Sequence, residues 1–226
     1  MANESLLKSS IGKKFAMALS ALFLLVFLLQ HLVINLLSMV YPDGFNEVSA
    51  FMSANPIIQF VMQPILLIGV VYHFVMGFVL EIQNKKARGP VAYAKYNGAA
   101  NASWVSRNMI ISGAVILLFL LVHLWQFWVP TINAHYINVD EDFAQGNYFM
   151  DHVNHVFTSA ITLVLYVVAF VFLSLHLQHG FSSAFQSIGA RHPKYTPCIV
   201  AFGKWYSILV PALFIVIAIY HFVNNL

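Results

Sequence analysis

FAMALSALFLLVFLLQHLVINLLSMV, residues Phe15–Val40, holds no charged side chain and a single histidine, His31, well inside the run. As a helix rising about 1.5 Å per residue, it is long enough to cross roughly 30 Å of hydrocarbon. It reads as a membrane span. Lys8, Lys13 and Lys14 precede it, as in a signal peptide, but the run is too long for a signal core and has no small-residue cleavage site. The expectation is a retained first span.

Four more runs of this kind follow, at Ile57–Ile82, Met109–Val129, Val153–Leu177 and Trp205–Val223. Tyr41-Pro42-Asp43-Gly44, Asn55-Pro56, Gly89-Pro90, Pro130 and His192-Pro193 punctuate the segments between them. Composition agrees. The 226 residues are 60% hydrophobic and 8% charged, with a mean hydropathy of +0.78, too few charges to cover a water-soluble domain. The expected fold is an all-α integral membrane protein, one domain over residues 1–226, with lipid as its solvent. Because a backbone in lipid must satisfy its own hydrogen bonds, five helices in a bundle follow.

Direction comes from the charges. All 11 Lys and Arg fall in the N-terminal tail, the second loop and the fourth loop, or at span ends adjoining them: Lys8, Lys13, Lys14, Lys85, Lys86, Arg88, Lys95, Arg107, Arg191, Lys194 and Lys204. The third loop carries Asp140, Glu141, Asp142 and Asp151 instead. The positive-inside rule then puts the N-terminus in the cytoplasm and the C-terminus outside. Trp104 and Trp205 mark inner boundaries and Trp128 an outer one. The net charge of +3 is segregated by loop rather than gathered on a face, so nucleic acid is not an expected partner. The single cysteine, Cys198, excludes an internal disulfide, a cysteine-rich iron–sulfur site and a CxxCH haem attachment.

Ionisable residues inside spans are costly and point to function. Spans one to four each carry one deep histidine: His31, His73, His123 and His176. Any one of them could simply bridge two helices; four on consecutive helices call for more. From the inner span ends, His31 lies roughly 24 Å deep and His123 roughly 22 Å, whereas His73, on a span running the other way, lies only about 16 Å deep. His176 shares the direction and the inner level of His73. Odd spans therefore pair at an outer level and even spans at an inner one, the pattern of two stacked bis-histidine haems in a four-helix bundle with a fifth helix beside it. Span two reads His73-Phe-Val-Met-Gly77 and span four His176-Leu-Gln-His-Gly180. In both, a glycine one turn on lets the backbone recede beside the ligand. The same repeat favours His176 over His179.

Of the remaining histidines, His155 and His221 are alternative outer ligands or, with His152, interfacial residues; His135 and His192 are expected in solvated loops. A membrane di-iron enzyme is the rival class, through His152-Val-Asn-His155 and His176-Leu-Gln-His179. On one helix those pairs lie about 36 Å apart, and no carboxylate accompanies them inside a span; Glu81 sits at a boundary. An intramembrane protease lacks its GxSxG-type elbow.

Leu29-Gln30-His31-Leu32-Val33-Ile34-Asn35, Tyr72-His73-Phe74-Val75-Met76-Gly77, Val122-His123-Leu124-Trp125 and Leu175-His176-Leu177-Gln178-His179-Gly180-Phe181 together resemble a known family. It is the cytochrome b membrane anchor of succinate dehydrogenase and quinol:fumarate reductase, in its single-chain, five-helix, di-haem b558 form. The resemblance implies two haem b groups, with His31 and His123 as iron ligands of the distal, outer haem and His73 and His176 of the proximal, cytoplasmic one. It implies a flavoprotein subunit with FAD and an iron–sulfur subunit docked on the cytoplasmic loops, menaquinone as the membrane quinone, and the bacterial cytoplasmic membrane as location. Two positions depart from the pattern of some relatives. Phe51-Met52-Ser53-Ala54-Asn55-Pro56 has no carboxylate near the quinone, and Ser174 stands where some fumarate reductases carry a glutamate.

Two axial imidazoles leave iron no open position for substrate, so electron transfer is the expected task. Lys13, Lys14, Arg107 and Lys204 are candidates to meet haem propionates at the inner boundary, or are snorkelling charges. The alternatives are a cytochrome b subunit of a hydrogenase or formate dehydrogenase and, from another class, a haem-free transporter or scaffold.

Overall fold

The computed structural model describes residues 9–88, 108–138, 143 and 148–226, and every element among them is helical. Helix α1 covers Ser10–Val40. A short helix α2, Pro42–Ala54, follows, then α3, Gln63–Arg88, entered through one π turn at Ile58–Met62. Helix α4, Met109–His123, continues through a π turn at Leu124–Trp128, the short α5 at Val129–Ile132 and a second π turn at Asn133–Ile137. Helix α6 is Tyr148–Val156, α7 is Ala160–Ser187 and α8 is Thr196–Asn224. Five stretches are long and apolar enough to cross a membrane: Ile11–Val40, Ile58–Ala87, Met109–Ile137, Ala160–Ser187 and Thr196–Asn224. The chain is a multi-pass, all-α membrane protein. Lys8, Gly89-Pro90, Lys95, Trp104, Arg107, Asp140, Glu141 and Asp142 lie outside the described residues.

Local chemistry sets the helix ends. Ser9 caps α1, its side chain accepting from the Gly12 N–H at 3.0 Å. Pro42 opens α2 at a position that needs no N–H, and Asp43 in its first turn suits the positive end of the dipole. The Asn55 side chain accepts from the Ile57 N–H at 3.0 Å and so starts the second span. Gly189, at φ 81°, ends the chain's run out of α7 in a conformation that other residues rarely adopt. Pro64 and Pro130 each stand just beyond a π turn. A proline lacks an N–H and its ring crowds the carbonyl four residues back, and the wider i→i−5 turn relieves both.

Several boundaries differ from the sequence-based expectation, the third span running on to Ile137 rather than ending at Val129. The segment after Tyr41 is a helix, not a turn. The fourth span begins at Ala160 rather than Val153, because Ser159 adopts an extended backbone (φ −95°, ψ 123°) that separates α6 from α7. It runs on to Ser187, and the fifth span begins at Thr196, well before Trp205.

Spans four and five share the most extensive contact, and span one packs on both. Leu25, Leu32, Tyr166, Phe170, Phe181, Tyr206, Val210 and Phe214 belong to one core cluster. Span five is therefore the best enclosed span rather than an appendage, and span two is the least enclosed. Outward faces carry large apolar groups such as Val26, Ile68, Leu118 and Ile161, 65–80% exposed, which only lipid would cover at no cost. Among the described residues no buried side-chain nitrogen or oxygen lacks a partner, as hydrocarbon demands. Glu81 sits at the boundary and pairs with Lys85 at 3.4 Å.

Candidate cofactor site

The four deep histidines meet in two pairs. His31 on α1 and His123 on α4 have ring centroids 5.9 Å apart with planes at 85°. His73 on α3 and His176 on α7 have centroids 6.3 Å apart with planes at 67°. Ser20 contacts His73, so the inner level on α1 is that of Ser20, and His31 lies about 16 Å further along the helix at 1.5 Å per residue.

Hydroxyls hold the inner pair from behind. The Ser20 hydroxyl donates to the Met17 carbonyl at 2.7 Å. A carbonyl can only accept, so the Ser20 proton is committed there, and the 3.2 Å contact with His73 is made by Nδ1–H donating to Ser20 Oγ. Ser112 repeats this on α4: its hydroxyl donates to the Met109 carbonyl at 3.0 Å, and His176 Nδ1–H donates to its oxygen at 3.1 Å. With the proton on Nδ1, a neutral ring carries its lone pair on Nε2, the form that binds a metal. Gly77, Gly113 and Gly180 stand in ordinary van der Waals contact with their neighbours. A Cβ on Gly77 would reach the Met17 methyl at 3.7 Å, and one on Gly180 the Met109 methyl at 3.6 Å. On Gly113 it would touch the His176 ring itself at 3.7 Å.

The outer pair has a different setting. His123 Nδ1 lies 3.2 Å from the Tyr166 hydroxyl, which donates to Gln126 Oε1 at 2.9 Å. By the same logic Nδ1–H donates to Tyr166, again freeing Nε2. The Asn35 amide donates to the His31 carbonyl at 2.8 Å and lies 3.5 Å from both ring nitrogens. Phe27 stacks on His31 at 5.5 Å and Phe119 on His123 at 5.6 Å. The first and third spans thus repeat Met, Ser, Phe and His at one common spacing: Met17, Ser20, Phe27, His31 and Met109, Ser112, Phe119, His123. That repetition is the sequence signal that marks the serines.

The other histidines fall elsewhere. His152 and His155 lie on α6, outside the fourth span, and His152 contacts the Gln126 carbonyl at 2.6 Å. His135 is partly buried against Phe143 in the π turn at Asn133–Ile137 rather than solvated, while His192 is exposed as expected. His221 is fully buried in the protein near the C-terminal end of α8. Among the described residues no three His, Cys, Asp or Glu side chains gather, so the donors come in twos. A metal bound by protein alone takes three or four ligands; two opposed imidazoles suit an ion whose other positions are already filled.

No family model matches the chain, and no solved structure matches it. A curated protein does: the succinate dehydrogenase cytochrome b558 subunit of Bacillus subtilis (strain 168) is 23% identical over 155 residues, 69% of this chain and 68% of that protein. With five apolar spans and four histidines paired across them, the chain is similar in sequence to the succinate dehydrogenase cytochrome b558 subunit.

Proposed function

We propose that the chain is the di-haem cytochrome b membrane anchor of a succinate:quinone or quinol:fumarate oxidoreductase. The observation that carries this reading is the spacing of the two histidine pairs. Metal–imidazole bonds of about 2 Å on either side of an iron would set two ring centroids about 6 Å apart, and the two pairs stand 5.9 and 6.3 Å apart. In this reading His31 and His123 hold the distal haem through Nε2, and His73 and His176 hold the proximal one. Held by these four residues, two b haems would supply a pair of one-electron centres. Stability alone is a poor reason for the histidines, since an interhelical hydrogen bond in a bilayer averages about 0.6 kcal/mol.

The name of the Bacillus subtilis relative supports the choice of complex. On that basis a flavoprotein with FAD and an iron–sulfur subunit dock on the lysine- and arginine-bearing cytoplasmic face, and menaquinone exchanges electrons within the membrane. The N-terminus lies in the cytoplasm, the C-terminus outside, and the membrane is the bacterial cytoplasmic one. Apolar span surfaces face lipid, and nucleic acid has no part.

A dithionite-minus-oxidised spectrum of the purified chain with haem quantification tests the reading. Sharp α-bands and two haems per chain are expected, and co-purifying subunits should carry flavin. A preparation from a haem-replete host with no haem contradicts the reading; nickel or molybdenum in the partners contradicts the assigned complex.

A further inference from the structure

The two serine–histidine contacts follow one design. Each serine stands on an odd-numbered span, sends its proton back to the carbonyl three residues earlier, and offers its oxygen to an imidazole on the next span. Each is preceded by a methionine whose methyl packs beside the glycine that follows the histidine. A hydroxyl in a helix satisfies itself by bonding back to a carbonyl and needs no second partner. That both serines nonetheless align on Nδ1 of the inner histidines is a coincidence that packing does not require. We propose that Ser20 and Ser112 are the positioning residues of the inner haem, each fixing the Nδ1–H tautomer and ring angle that presents Nε2 to the iron. The proposal rests on His73 and His176 being iron ligands. Tyr166, with its own proton committed to Gln126, is the outer-level counterpart, acting on His123.

The physical consequence is directional. An acceptor on Nδ1–H makes the imidazole a stronger donor to the metal, which favours the more highly charged ferric iron. Removing the acceptor should therefore raise the midpoint potential of the haem that it serves. It should also free the ring to turn, changing the low-spin electron paramagnetic resonance signal, which reads the angle between the two imidazole planes.

The test is redox titration with parallel low-temperature resonance spectra on the wild-type complex and on Ser20→Ala, Ser112→Ala, Ser20→Thr, Ser112→Thr and Tyr166→Phe. In both alanine variants the inner haem should shift upward in potential and change its signal, with the outer haem unmoved. In both threonine variants the hydroxyl remains and the inner haem should match wild type. In Tyr166→Phe the outer haem alone should move. Unchanged potential and signal in both alanine variants overturns the proposal, as does an equal shift of the two haems. Should an alanine variant lose the inner haem, its retention in the threonine variant supports the hydroxyl's role; loss in both makes the serine a packing residue and overturns it. A wild-type complex without two haems instead overturns the ligand assignment beneath it.

Discussion

Ser38 on α1 and Asn154 on α6 close on His221 of α8 from two sides, at 2.8 Å from Nε2 and 3.0 Å from Nδ1. Both ring nitrogens are engaged. His73, His123 and His176 differ in this respect, since among the described residues each has a hydrogen-bond partner at Nδ1 alone. Burial is thus common to both kinds of histidine; Nε2 has no hydrogen-bond partner among the described residues in these three, whereas in His31 the Asn35 amide lies 3.5 Å from both nitrogens. Asn225 tightens the outer node further, donating to the carbonyls of Asn154 and His221. His221 reads as a clamp between helix ends rather than an iron ligand. For His221→Ala the expected outcome is two haems per chain, unchanged, with stability lower by about 1–3 kcal/mol from the polar groups left without their partner. Haem quantification beside thermal unfolding checks it, and loss of one haem would return His221 to the set of ligands.

Helices carry the histidines to their levels, and here the sequence is informative for one reason and mute for another. Hydropathy finds all five spans because lipid selects for composition, residue by residue. It does not find their ends. Span four looks continuous from Val153, yet Thr158 bonds back to the His155 carbonyl at 2.8 Å and Ser159 turns extended, so His152 and His155 sit on a separate helix. Two polar residues of low helix propensity decide that break inside an otherwise apolar run. Depth estimates share this weakness: they set the two levels 6–8 Å apart when counted from charged boundaries, at 1.5 Å per residue. The Ser20–His73 contact sets them about 16 Å apart by the same rise. Ser20 and Ser112 are ordinary span residues by composition and are marked only by the repeat shared by the first and third spans, while Tyr166 is marked only by its alignment on an imidazole nitrogen.

The proposed direction across the membrane rests on the segregation of charge between loops. Cys198 is exposed at the start of α8, close to Arg191, Lys194 and Lys204. As the sole cysteine of the chain it is a natural reporter of sidedness. A membrane-impermeant maleimide is expected to label it in inverted vesicles and not in intact right-side-out vesicles, and the opposite pattern would reverse the orientation. At this scale the molecule has two levels, each closed by one histidine from each half of a repeated arrangement. The most direct measurement is a redox titration with haem quantification on His31→Ala, His73→Ala, His123→Ala and His176→Ala, assembled in the intact complex. Each should retain one haem, with the same survivor in the His31 and His123 variants and the other survivor in the His73 and His176 variants. Two haems retained in any of the four, or a shared survivor between His31→Ala and His73→Ala, would contradict the pairing.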